Sequence, residues 1–101
     1  MASSKEYKDF VLEQCNNLSA RAMMGEYVLY YNGKVIGGIY DNRLLVKPTS
    51  SAISFMNEAQ REIPYEGAKE MLLVEDIEDR GFLKKLFEAM YKEWPEQRKK
   101  R

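Results

Sequence analysis

Histidine is absent from this 101-residue chain, and cysteine occurs once. The first absence removes the commonest general base and the commonest neutral metal ligand together, so enzyme readings start at a disadvantage. The second rules out an internal disulfide and fits a reducing compartment. Neither charge sign is in surplus, with 16 basic side chains against 16 acidic ones. No overall field therefore draws the molecule toward nucleic acid or an anionic membrane. Also missing is any apolar run of about 18 residues, the length a membrane-spanning helix needs. Residues 1–8 are mostly polar, without the apolar segment of a secretory signal. These absences lead to the expectation of a soluble, cytoplasmic protein with no membrane partner, and the length suits one domain.

What is present is a clear alternation of helical and extended patterns. Ser3 stands three residues before Glu6 in the manner of a capping box, and Tyr7, Phe10, Val11, Cys15 and Leu18 follow at helical spacing. A first helix is expected over residues 4–17, followed by a short link. EYVLYY, KVIGGIY and RLLVK then read as three strands joined at Asn32-Gly33 and Asp41-Asn42. Asn-Gly is a strong hairpin signal because both central positions of a type I′ turn need positive φ. Gly37-Gly38 in mid-strand suggests a bulge or something lying close across the sheet. Pro48 closes the third strand, and Thr49 or Ser50 caps a short helix bearing Ala52, Phe55, Met56 and Ala59.

Ile63-Pro64-Tyr65 reads as an edge segment and Met71 to Val74 as an apolar strand. A last helix carries Leu83, Leu86, Phe87, Met90, Tyr91 and Trp94 on one face and is expected to stop at Pro95. The expected fold is α+β, a two-layer α/β sandwich of order α-β-β-β-α-β-β-α with a five-stranded, mainly antiparallel sheet. Residues 1–95 form the single domain and 96–101 a charged, frayed tail. Tyr27, Leu29 and Tyr31 share one strand face while Val28 and Tyr30 share the other, so a sheet face left bare by the helices would be a docking surface. Its occupant is a second copy, giving a homodimer, or an unidentified protein partner.

The chemical candidates are thin. Cys15 sits in an apolar stripe and reads as structural. The acidic run EDIED lacks the spacing of a calcium loop and suits the positive end of the last helix. No glycine-rich phosphate loop occurs, so no cofactor is implied. Ser50, Ser51 and Ser54 have no histidine to activate them. Met23, Met24, Met56, Met71 and Met90 are read as core in preference to an adaptable groove. Tyr27 and Tyr30 with Arg21, Lys34, Arg43 and Lys47 form the candidate interaction surface. The same mix could bind single-stranded nucleic acid, a reading that zero net charge disfavours. Met24, Gly25, Asn32 and Gly33 are assigned to structure, Gly25 as a site of positive φ or close backbone approach.

The segment RAMMGEYVLYYNGKVIGGIYDNRLLVKP, with Arg21, Met23, Met24, Gly25, Tyr27, Tyr30, Gly33, Arg43, Leu44 and Lys47, resembles the signature of the TfoX N-terminal domain family. Pro64, Tyr65, Gly67, Met71 and the closing helix extend the resemblance over nearly the whole chain. It implies the same α-β-β-β-α-β-β-α order, a bacterial setting and an association with competence regulation. It implies no catalytic residues. The family's fuller regulators add a C-terminal helical domain, and the resemblance here is to the first domain alone. The expectation is therefore a non-catalytic regulatory or protein-interaction module.

Overall fold

In the computed structural model, which describes residues 3–98 and their side chains through Glu93, the chain alternates three helices and six strands. They are α1 (Lys5–Leu12), β1 (Leu18–Met23), β2 (Glu26–Tyr31), β3 (Lys34–Ile39), β4 (Leu44–Val46), α2 (Ser50–Phe55), β5 (Arg61–Glu62), β6 (Met71–Val74) and α3 (Arg80–Arg98). All strand pairs are antiparallel, in the order β1-β2-β3-β4-β6-β5. The α+β class stands, with one more strand than expected.

That strand is β1. Residues 18–23, read as a link, pair along their whole length with β2, from Leu18 opposite Tyr31 to Met23 opposite Glu26. LSARAM has no β-branched or aromatic residue to announce a strand; pairing imposes the conformation. Met24-Gly25 is thus a two-residue hairpin turn with φ of 54° and 86°, both in the left-handed region that a type I′ turn demands. Asn32-Gly33 repeats the geometry at 52° and 81°, and Asp41-Asn42 follows at 55° and 56°. β3 carries a bulge, since Leu29 lies opposite Gly37 but Tyr30 lies opposite Val35, which leaves Ile36 over.

The helix bounds also shift. α1 ends at Leu12 rather than residue 17, because the chain must turn through Asn16-Asn17 into β1. Its cap is Ser4, whose hydroxyl accepts from the Tyr7 N–H at 3.1 Å, and not the Ser3–Glu6 box. Thr49 caps α2 by accepting from the Ala52 N–H at 3.2 Å. Asp79, the last residue of the acidic run, receives the Phe82 N–H at 3.0 Å at the start of α3. α3 continues through Pro95, contrary to expectation, although a proline forfeits its own N–H bond and its ring crowds the carbonyl one turn back; the three apolar turns before it are anchored in the core. The Trp94 side chain and the tail residues 99–101 lie outside the described residues. The edge strand β5 falls at Arg61–Glu62, two residues before the segment expected, and Pro64 follows it without a ladder position.

All three helices cover one face. Val11, Ala52, Leu83, Leu86, Phe87 and Met90 meet Leu29, Tyr31, Ile36, Ile39, Leu44, Val46, Leu72 and Val74 in one buried cluster. Strand alternation sends Ser19, Arg21, Met23, Val28, Tyr30, Val35 and Leu45 to the opposite, helix-free face.

Ser3 does not cap a helix; it stitches two hairpin ends together. Its hydroxyl donates to Glu26 Oε1 at 2.7 Å and accepts the Asn42 N–H at 3.0 Å, and its own N–H donates to the Gly25 carbonyl at 3.1 Å. Glu26 Oε1 also accepts the Asp41 N–H at 3.0 Å. Removing that carboxylate leaves the Ser3 hydroxyl to the Ile39 carbonyl, 3.3 Å away, and the exposed Asp41 N–H to water, so Glu26→Ala is expected to cost about 0.5–1.5 kcal/mol. Urea unfolding measures it; a midpoint equal to wild type would show that the stitch carries no stability.

Candidate functional site

The helix-free face is not flat. Gly38 has no side chain, and a Cβ there would lie 2.5 Å from the Tyr40 ring and 2.7 Å from the Tyr27 carbonyl oxygen. Tyr40 therefore lies down over the sheet, 7 % exposed, and burial pushes its phenol pKa up. This is the close approach that the Gly-Gly pair signalled. Against Tyr40 stands Tyr65, ring centroids 5.9 Å apart and tilted by 57°. Tyr65 comes from the connection between β5 and β6, which borders the same face, and it remains 57 % exposed.

The two tyrosines divide a groove. One half, about 560 Å³, lies between the Met24-Gly25 turn and Tyr65 and is lined by Met23, Met24, Glu26, Arg43 and Pro64. The other, about 450 Å³, runs over Val28 and Val35 toward Lys47 and Met71. Met23, Tyr40, Pro64 and Tyr65 border both halves. Met24 at the hairpin tip is 97 % exposed and Met23 is 43 % exposed. Flexible thioethers beside a tyrosine pair make a surface that can adapt to a partner's shape.

The expected surface residues divide between places. Arg43 is in the groove, where it pairs with Glu62 and donates from Nε to the Tyr40 carbonyl at 3.0 Å, so it braces the wall. Lys47 borders the second half, and desolvation lowers its ammonium pKa. Arg21 and Tyr30 share the helix-free side but border a separate shallow hollow with Ser19 and Gly33. Tyr27 points to the helix layer, packs on the core and has the Lys8 Nζ 5.4 Å from its ring centre. Lys34 is half-buried at the Asn32-Gly33 turn, opposite Tyr31. Asn32 and Gly33 form the hairpin turn expected of them, whereas Met24 and Gly25, assigned to the link into the first strand, form a second hairpin turn, and Met24 also lines the groove.

The methionines split in the same way. Met90 is core and Met56 packs against it, whereas Met23, Met24 and Met71 line the groove. Tyr40 and Tyr65 were not singled out as a pair by sequence; they are 25 positions apart, and only the order β4-β6-β5 joins them. Cys15 lies in the turn after α1, packed against the core, and burial raises its thiol pKa against the pull of Lys84 and Arg80. Among the described residues no group of three or more Cys, Asp or Glu is placed to hold a metal ion, and no helix is long and apolar enough to cross a membrane.

Comparison with known proteins agrees with the strand and turn signature. The TfoX N-terminal domain matches residues 11–92. An uncharacterised 12.7 kDa protein in the trpE 5′ region of Spirochaeta aurantia is 39 % identical over 80 residues, covering 76 % of this chain and 70 % of that one. No solved structure matches. The matched span runs from α1 to α3 and takes in the groove and every turn around it, and the chain belongs to the TfoX N-terminal domain family.

Proposed function

We propose that this chain is a non-catalytic, bacterial regulatory module that works in the cytoplasm by binding a protein through its helix-free sheet face. The observation that carries the reading is the groove around Tyr40 and Tyr65, where Met23, Met24 and Tyr65 stay exposed beside a braced polar wall. Exposed aromatic and methionine side chains around a hollow are the usual composition of protein contact sites. The family's association with competence regulators makes regulatory proteins the first partners to look for. Against catalysis stand the lack of histidine and the raised pKa of the single thiol.

A nucleic-acid platform is the weaker reading of the same face. Tyr27 and Tyr30 lie on opposite sides of the sheet and Arg43 is engaged by Glu62, which breaks up the aromatic and basic stripe that stacking on single strands requires.

Affinity capture from the native cell tests the proposal, with Tyr65→Ala, Met23→Ala and Arg43→Ala beside the wild type. Tyr65→Ala is expected to weaken capture about tenfold or more, as loss of an exposed aromatic anchor does. Capture should survive nuclease treatment and moderate salt. A catch unchanged by all three substitutions defeats the groove as the contact, and a catch lost steeply with salt or nuclease transfers the face to nucleic acid.

A further inference from the structure

The sheet's two edges are treated very differently. β5 is two residues long and Pro64 follows it closely, which are two of the common ways to blunt an edge. β1 at the other edge is six residues long, has no proline or bulge, and carries one charge, Arg21. Its side chains are small at Ser19, Ala20 and Ala22, so a neighbouring backbone can come close.

The parity of the β1–β2 ladder shows which backbone groups of β1 are spare. The Asn32 N–H donates to the Asn17 carbonyl at 3.0 Å, and Met23 opposite Glu26 closes the two-residue turn. Residues 19, 21 and 23 therefore spend their N–H and C=O groups on β2, as Asn17 spends its carbonyl at the end of the ladder, and Leu18, Ala20 and Ala22 aim theirs outward. We propose that β1 is a self-pairing edge, through which two copies of this chain join antiparallel with Ala20 opposite Ala20 of the second copy.

Geometry selects this register. For both helix layers to stay on one side, the two-fold axis must stand perpendicular to the sheet, and residues directly opposite must share a face. With Ala20 on the axis, Leu18 meets Ala22, each outward residue both donates and accepts, and Arg21 lies opposite Ser19. Moving the axis to Arg21 would set two guanidinium groups directly opposite and leave Leu18 unpaired. The surface beside the seam suits burial. Ala22 is exposed although it faces the helix side, so the helices stop short of this edge, and Met23 is 43 % exposed on the other side. Joined in this way, the helix-free faces of both copies become one surface. The pairing does not depend on what the groove binds.

Light scattering coupled to size exclusion, over a wide concentration range, is the first measurement, and a dimer mass that grows in with concentration is expected. Ala20→Pro removes an outward N–H that β2 does not use, so it should raise the dimer dissociation constant at least about tenfold while far-ultraviolet circular dichroism stays native. A second measurement is specific to register and independent of that variant. In a Cys15→Ser background, a mixture of Ser19→Cys and Arg21→Cys chains should crosslink on oxidation, since that pair sits about 4.5 Å apart between Cα atoms. Either variant alone should not, its thiols being about 7–8 Å apart on the diagonal. A monomer at every concentration, a dimer indifferent to Ala20→Pro, or crosslinking within a single variant at least as strong as in the mixture overturns the proposal.

Discussion

Phe87→Ala is expected to lower stability by about 3–5 kcal/mol, the range for deleting a fully buried aromatic ring. Phe87 is 0 % exposed, and its ring centre lies 5.8 Å from that of Tyr31. Tyr31 in turn packs edge-on to Tyr91 and donates its hydroxyl to Glu88 at 3.1 Å. Phe87 therefore couples α3 to the C-terminal end of β2, and truncation leaves a hole between the helix and the sheet. A domain of this size holds about 5–15 kcal/mol in all, so the variant should lose about a fifth or more of its stability and about 12 °C or more in Tm.

Tyr65→Ala provides the contrast, because that ring is more than half exposed and packs against Tyr40 at the surface rather than in the core. It should fall within about 1 kcal/mol of wild type. Chemical unfolding of both variants decides the matter. A Phe87→Ala cost below about 2 kcal/mol would mean that α3 does not anchor the core as described. Equal costs for the two would mean that the helix-free face holds the fold together rather than being free to bind.

That two-sided organisation explains which parts of the fold could be read from sequence. Turns and caps depend on one or two residues acting locally, so Asn32-Gly33, Asp41-Asn42, Thr49 and the acidic lead into α3 were legible. β1 was not, because nothing in LSARAM favours a strand by itself. Its one local sign was the spacing of Met24-Gly25, two residues between extended segments, and Met24 at positive φ disguises it. The turn through Asn16-Asn17 was hidden because the apolar stripe of α1 continues in register through Cys15 and Leu18, which pack on the core from outside the helix. The groove was half legible. The sequence marked a bare sheet face and the Gly-Gly pair, but Tyr65 reaches Tyr40 only through a long-range strand order. The basic residues that drew attention were partly spent on structure, Arg43 on Glu62 and on the Tyr40 carbonyl.

Gly37→Ala should be the most damaging single-methyl change in the sheet, costing about 3 kcal/mol or more, the upper end for forced overpacking. A Cβ at Gly37 would run into the Leu45 carbonyl oxygen and lie 2.7 Å from the Val46 Cα, both backbone atoms of the paired strand β4. Neither can turn aside as a side chain does, so β3 and β4 must part. Gly38 meets a mixed obstacle, a ring that can move and the Tyr27 carbonyl oxygen that cannot. Gly38→Ala should therefore cost less than Gly37→Ala while displacing Tyr40, opening the groove and weakening partner capture. Gly33 reverses the causes: its surroundings are open, but its φ is 81°. Gly33→Ala should cost only about 1 kcal/mol, through left-handed backbone strain. The order Gly37, Gly38, Gly33 in urea midpoints separates collision with backbone, collision with a ring, and torsional strain. If Gly33→Ala proves the worst of the three, turn formation rather than the close β3–β4 approach limits the stability of the sheet that carries the groove.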